Sequence, residues 1–289
     1  MALTINTNLS SMIVQSNLSK ATTSLDKAIE RMTTGYKINH AADNAAGYSI
    51  ARNWEAKLGS LDVAADNAAT GADMLSTLED HYALISSHVQ RVRDLTEQAA
   101  NGTYGTASKQ AIQAEITARL EEIDRISANC EFNGINLMKE GSEAATHGLK
   151  IQVGIDSDAG RSQIELNATL FQDGSVNGLF SMDVETLAEK CAGLNEDVNA
   201  ESMLDSIDDV IKTISNRITT LGAAQNRIES AIESIGVQSE NITSSLSTLR
   251  DADVAQESSN YIKAQILQQA SATLLATANQ TPSIALNLL

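Results

Sequence analysis

Histidines, cysteines and adjacent carboxylates are the side chains in this chain that could carry chemistry, and their spacing argues against it. His81 and His88 are seven residues apart and share a helical face with Glu79 or Asp80. That spacing leaves a divalent ion without a third protein donor, so no metal site is expected. Glu121 and Glu122 are neighbours in sequence and would point to different sectors of a helix, a poor arrangement for an acid and a base. Cys130 and Cys191 have no C-x-x-C spacing and no nearby histidine partner. They read as free structural thiols, with a disulfide as the alternative. No G-x-S-x-G elbow, phosphate-cradling glycine loop or nucleophile with an evident base is present. The expectation is a chain without catalysis and without a cofactor.

One polar block invites a recognition role instead. In Q-R-V-R-D-L at 90–95, an exposed Arg91 beside an apolar Leu95 would make a hot-spot pair, supplying charge-assisted hydrogen bonds and a desolvated contact. The competing reading places Val89, Val92 and Leu95 in a core and leaves the charges as a solvated face.

The elements that hold these residues are long helices. Leu204, Ile207, Ile211, Ile214, Ile218, Leu221, Gln225, Ile228, Ile232, Ile235, Ser239, Ile242, Leu246 and Leu249 recur at alternating steps of three and four. This is a coiled-coil seam on a helix about 70 Å long, which must face other helices. A second rod carries Trp54, Leu58, Leu61, Ala65, Ala68, Ala72 and Leu75, and resumes one residue out of phase from Leu78 to Leu95, as in a stammer. Asn101-Gly102 ends it. A third helix follows, capped by Thr106 or Ser108, with Ile112, Ile116, Leu120, Ile123 and Ile126 on one face. Strand-like periodicity appears at 132–138, at Ile151 and Val153, and at Ile164, Leu166 and Ala168, with a turn at 156–160. Residues 174–200 read as a short surface connection with one helix turn at Val184 to Cys191. The fold class expected is mainly α, a helical rod with a small β-hairpin region.

Both ends are amphipathic. The first segment begins near Thr4, carries Ile5, Leu9, Met12, Leu18, Leu25 and Met32, and stops at Gly35; the last carries Ile262, Ile266, Leu274 and Leu275 and ends before Pro282. Neither is stable alone in water. They either form a helical hairpin within one chain or stay disordered until neighbouring subunits supply matching stripes. The stretch 33–48 between the first two helices, rich in Asp, Asn and Gly, reads as a spoke joining them.

Composition narrows the partners. The chain has 289 residues, a single proline and a net charge of −17. Without a basic stripe, nucleic acid is an improbable partner. The first twenty residues lack the parts of a secretory signal peptide, and no run approaches eighteen apolar residues, so no membrane span is expected. Asn-x-Ser/Thr triplets at Asn101 and Asn167 are weak signals in so polar a chain.

The ordered blocks carry a resemblance. I-N-T-N-L-S-S at 5–11, E-R-M-T-T-G at 30–35, K-I-N at 37–39 and A-A-D-N-A-A-G at 41–47 resemble the amino end of bacterial flagellin. Q-R-V-R-D-L at 90–95, E-I-D-R-I at 122–126, L-R-D-A-D at 249–253 and A-Q-I-L-Q-Q-A at 264–270 are similar to later blocks of that family. The resemblance implies a homopolymeric filament subunit for motility. Its inner domain would be 1–43 with 252–289, and its outer domain 44–251, with a β-hairpin near 132–170. Leu9, Met12, Leu25, Met32, Ile262, Ile266, Leu274 and Leu275 would face the filament core; Asp43, Asn44, Gly47 and Arg250 would hold the spoke.

The same resemblance implies an extracellular, flagellar location reached by type III export without a cleaved signal peptide. A flagellar export chaperone would grip the C-terminal helix, and hook-associated and cap proteins would meet the polymer. Family positions matched by Gln90, Arg91, Leu95, Gln98, Glu115 and Arg119 imply recognition by the Toll-like receptor that senses flagellin. Two cysteines depart from the usual family pattern. A hook-filament junction protein and a soluble coiled-coil adhesin are the alternatives.

Overall fold

Helix after helix follows from the apolar spacing, and nine are present among the described residues. The computed structural model describes residues 7–194 and 200–286, the last six of these as backbone only; Thr4 and Ile5 lie outside that range. In order, α1 is Leu9–Thr34, α2 Ala45–Ala100, α3 Thr106–Ala128, β1 Glu131–Phe132, β2 Ile135–Asn136, α4 Glu143–His147 and β3 Leu149–Gln152. Then come α5 Ala159–Ser162, β4 Gln163–Leu166, α6 Val176–Phe180, α7 Val184–Cys191, α8 Ala200–Arg250 and α9 Val254–Leu286. The chain divides into two compact units, Met1–Leu58 with Glu240–Leu289, and Gly59–Ser239.

The second unit holds the main core. Along α2, Leu61, Ala64, Ala68, Gly71, Leu75, Leu78, Tyr82, Ile85, Val89 and Val92 are all buried. Steps of three and four alternate through this row without a slip, so the stammer expected near Leu75 does not exist. Ala64 and Gly71 fill the seam in place of Ala65 and Ala72, which are half-buried. A Cβ on Gly71 would overlap the Cδ1 of Ile151 from β3, so the smallest residue is what lets the sheet sit against the helix.

The α3 helix buries Ile112, Ile116, Leu120, Ile123 and Ile126. Its N-cap is Gly105 with no side-chain cap bond, and neither Thr106 nor Ser108 takes that role. On α8, Ile207, Ile214, Leu221, Ile228 and Ile235 are buried, joined by Met203, Val210 and Ala224 in place of Leu204, Ile211 and Gln225. A wider apolar face replaces the narrow seam, as a helix packed on more than one neighbour requires. Gln225, polar within the row, donates its amide to Glu79 Oε2 of α2 at 2.9 Å. Arg93 Nε donates to Asp208 Oδ1 at 2.6 Å, and these two pairs run α2 and α8 antiparallel.

The β region is two separate antiparallel pairs. Phe132 pairs with Ile135 across Asn133-Gly134, whose φ values of 51° and 80° are those of a two-residue primed turn. Leu149 pairs with Leu166 and Ile151 with Ile164. The connection at 156–160 is more than a turn, since Asp158 caps the short α5 there. Ala168 opens a 3₁₀ turn and does not extend the strand. The segment 174–194 is no surface connection either: Val176, Phe180, Leu187, Ala188 and Cys191 are buried in the core. The helix turn expected at Val184 to Cys191 is α7, whereas α6, with five residues, is too short to show a period.

At the far end, α9 runs through Pro282 to Leu286 instead of stopping before it. Proline cannot donate to the carbonyl four residues back, that of Ala278. The Asn8 side-chain amide donates to this oxygen at 2.7 Å, while its own Oδ1 accepts from Ser11 N at 3.1 Å to cap α1.

The close approach at Gly71 is testable by coupling. Gly71→Ala is expected to lower stability by about 1 to 3 kcal/mol through overpacking. Ile151→Val alone costs about 0.5 to 1.5 kcal/mol, and in the Gly71→Ala background it should cost nothing or stabilise. Urea unfolding midpoints of the four chains measure this; additive losses would refute the contact.

Candidate functional site: paired ends and spoke

Small and polar residues, not the large apolar ones, make the contact between the two ends. The helices α1 and α9 run antiparallel, with Gln268 Nε2 donating to Thr22 Oγ1 at 3.3 Å and Arg31 Nη1 to Glu257 Oε1 at 3.2 Å. Between them Ala21, Ala28, Ala264 and the aliphatic part of Glu257 are buried. Of the residues expected to face a filament core, Leu25 and Leu275 are half-buried. The other six turn outward: Leu9, Met12, Ile266 and Leu274 are 58 to 59% exposed, Ile262 is 52% exposed, and Met32 is 37% exposed.

The spoke is built by satisfying helix ends. Gly35 takes a left-handed conformation with φ 75° and closes α1 by donating to Arg31 O. The carbonyls left over at the end of α8 are then taken by the chain just after it: Lys37 N donates to Arg250 O at 2.7 Å and Lys37 Nζ to Thr248 O at 2.8 Å. In return Ala252 N donates to Gly35 O at 2.8 Å. Asp253 Oδ1 starts α9 by accepting from Ala255 N at 2.9 Å.

The four residues assigned to the spoke from sequence all lie in this unit. Asp43 Oδ2 accepts from His40 N and Asn39 N at 3.1 and 3.3 Å. Those backbone donors, His40 foremost, hold its carboxyl below the usual aspartate range, with Lys27 nearby. Asn44 Oδ1 accepts from Gly47 N at 2.9 Å and caps α2. Gly47 is buried, and a Cβ there would crowd Ile38 and Asn44. The Arg250 guanidinium lies 3.8 Å from the centroid of the Tyr36 ring and pairs with Glu55. Arg52 Nη1 donates to the other oxygen of the same carboxylate at 3.0 Å. Tyr36, Lys37 and Glu55 were missed from sequence; an aromatic and a cation directly after a helix-ending glycine were the available signal.

The recognition set on the second unit is divided by burial. Arg91 donates to Glu115 Oε1 through Nε at 3.0 Å and Nη2 at 2.8 Å, and Arg119 Nη2 lies 3.9 Å from the same oxygen. Gln90 is exposed, and exposed Gln98 donates to the Tyr104 hydroxyl at 3.0 Å. Leu95 does not share their surface. It is 2% exposed within the core, so the pair of an exposed arginine and an exposed leucine does not form.

The remaining reactive side chains are structural. Cys130 and Cys191 are free and buried, and burial pushes their thiols up to about 12 and about 11. His81 Nδ1 lies 2.7 Å from Thr77 O on its own helix. Burial, then the charge of Arg119, lowers the pKa of His88. Among the described residues no three His, Cys, Asp or Glu side chains cluster for a metal, and no helix is long and apolar enough to cross a membrane.

Long helices drawn from both ends of one chain and paired through small residues define a helical structural protein. Its relatives agree. The bacterial flagellin N-terminal helical region matches residues 5–143, and the C-terminal helical region matches 204–289. The flagellin of Bacillus subtilis (strain 168) is 34% identical, covering 99% of both chains. The flagellar filament 33 kDa core protein of Treponema phagedenis is 30% identical, again over 99% of both. In fold alone, a solved structure described as a flagellar hook-associated protein of Vibrio parahaemolyticus is similar, with TM-score 0.60 and 12% identity over 72% of this chain and all of that one. The chain belongs to the bacterial flagellin family, and like that family it is structural and not an enzyme.

Arg250→Ala removes a stacked cation and an ion pair together, a loss of about 1 to 3 kcal/mol. Amide exchange at Lys37 and Ala252 is therefore expected to quicken about tenfold or more, with amides of α3 unchanged. Equal protection of Lys37 and Ala252 in both chains would show that the guanidinium does not hold the spoke.

Proposed function

We propose that this chain polymerises into the bacterial flagellar filament, and one observation carries the proposal. The paired ends turn Leu9, Met12, Met32, Ile262, Ile266 and Leu274 outward on two adjacent helices. A lone soluble protein does not keep so many large apolar side chains in water, whereas neighbouring copies would cover them. On this reading 1–43 with 252–289 form the inner filament domain and 44–251 the outer one, with Asp43, Asn44, Gly47 and Arg250 fixing the passage between. The contact of α1 with α9 fully buries alanines and leaves the large apolar side chains outside, so on this reading the ends gain order as copies stack.

The family relation also supports type III export without a cleaved signal, a C-terminal grip for the export chaperone near 254–289, and contacts with hook-associated and cap proteins. It supports recognition by the flagellin-sensing Toll-like receptor through Gln90, Arg91, Gln98, Glu115 and Arg119. Leu95 acts there from beneath, fixing the helix that presents Arg91.

Purified protein added to flagellar fragments should extend them into long filaments visible by electron microscopy; short caps would favour a hook-filament junction protein, and no growth would remove the filament reading. Ile266→Asp is expected to raise the critical concentration about tenfold or more, since a buried apolar side chain is worth roughly 1.5 to 3 kcal/mol.

In a cell reporter assay with monomer, Arg91→Ala should lower receptor potency about tenfold. An unchanged response would take Arg91 off the recognition surface.

A further inference from the structure

The charge of this chain is divided unequally between its two units. Residues 1–58 and 240–289 carry eight basic and eight acidic side chains, so their unit is neutral. The twelve basic and twenty-nine acidic side chains of residues 59–239 hold the whole excess of −17. Copies that stack must bring such units close together, and like charge opposes this.

The neutral unit has a groove of about 740 Å³ between α1 and α9. Its floor includes the buried alanines Ala21, Ala28 and Ala264. Lys20 and Lys27 line it from α1, and Lys263, Leu267 and Leu274 from α9. Arg31 is satisfied by Glu257. Lys27 lies 3.7 Å from Asp43 yet stays 57% exposed, and Lys20 and Lys263 make no ion pair among the described residues. Leu267 and Leu274 are about half exposed. The groove thus carries Lys20 and Lys27 on its α1 wall and Leu267 and Leu274, with Lys263 beside them, on its α9 wall; each of the two pairs is spaced by seven residues, about 10.5 Å along a helix.

A matching row lies on the acidic unit. Asp66, Asp73 and Asp80 on α2 are exposed, share this seven-residue repeat, and make no ion pair among the described residues. Val63, three residues before Asp66, is 59% exposed and supplies an apolar neighbour. Other acidic groups are less suited: Asp208 and Asp209 are taken by Arg93 and Lys212, and Glu233 has its seven-residue partner, Glu240, on the neutral unit.

We infer that the α1/α9 groove receives the Asp66–Asp73 face of α2 from a second copy of this chain, with Lys20 and Lys27 opposite the carboxylates and Leu267 and Leu274 against Val63. This rests on the filament reading above and names one contact within it. A basic groove on the neutral unit offsets the repulsion that the acidic unit brings to every neighbour.

Seeded assembly tests it, with critical concentration as the readout and circular dichroism confirming that each soluble copy is folded. Growth of wild-type protein on seeds is the separate check on the filament reading. Lys20→Glu with Lys27→Glu, and Asp66→Lys with Asp73→Lys, should each raise the critical concentration about tenfold, while the chain carrying all four reversals should return to within about threefold of wild type. Should the lysine reversals disturb folding, Lys20→Gln with Lys27→Gln is the milder variant and should still raise it about threefold. Wild-type assembly by either double reversal, or rescue of the lysine reversals by Glu233→Lys with Glu240→Lys instead, would overturn the assignment.

Discussion

Lys37 and Thr248 are 211 positions apart, yet the side chain of one donates to the carbonyl of the other. Closing a loop of that length costs on the order of 5 kcal/mol of chain entropy, and the spoke meets it with several polar contacts at one place. Lys37, Gly35, Arg250 and Ala252 exchange main-chain hydrogen bonds, and Arg250 is held between an aromatic face and a carboxylate. None of these groups is unusual singly. What they share is origin: the acceptors are carbonyls where α1 and α8 end and the donors lie in the stretches just after them, while Asn44 and Asp253 cap α2 and α9 locally. The exits of two helices satisfy one another, and the ends of the chain are brought side by side as a result.

With that tie made, the two units solve different packing problems. The acidic unit buries long aliphatic rows on α2, α3 and α8 and closes them with α6 and α7, so its interior is complete. The paired ends bury alanines and satisfy a few polar groups, and leave methionine, isoleucine and leucine outside. One part is finished as a folded body, and the other has surface in reserve. Their charges differ in the same sense, with every excess carboxylate on the finished part.

Much of this was legible from residue spacing. The isoleucines of α8 and α3 and the glycine stop at 35 each announce themselves because one residue type at one position has a single physical use, whereas Asn133-Gly134, which sits inside the strand-like run at 132–138, is a turn. Errors arose where size misled. Among the alanines and glycine of this stretch size does not tell one face from the next, so Ala65 and Ala72 stand in for Ala64 and Gly71 and the row reads as slipping in phase. The helix at 176–180 is too short to show a period. Leu95 has neighbours that are charged in sequence but lie on other faces of the helix, so proximity in the chain placed a core residue on the surface. The spoke residues Asp43, Asn44 and Gly47 were recognisable as turn and cap formers, whereas Glu55 and Tyr36 depend on an ion pair and a stacking contact that no local pattern encodes.

The two thiols have a consequence for a molecule packed among its own copies. With pKa values pushed up to about 12 and about 11, fewer than about one in a thousand of these sulfurs is ionised near neutral pH, and the ionised form is the one that attacks disulfides. Between neighbouring copies at very high local density, an exposed thiolate would be free to attack any disulfide brought from outside, and these two buried sulfurs are not. Seclusion of Cys130 and Cys191 leaves contacts between copies to non-covalent forces at these two sulfurs.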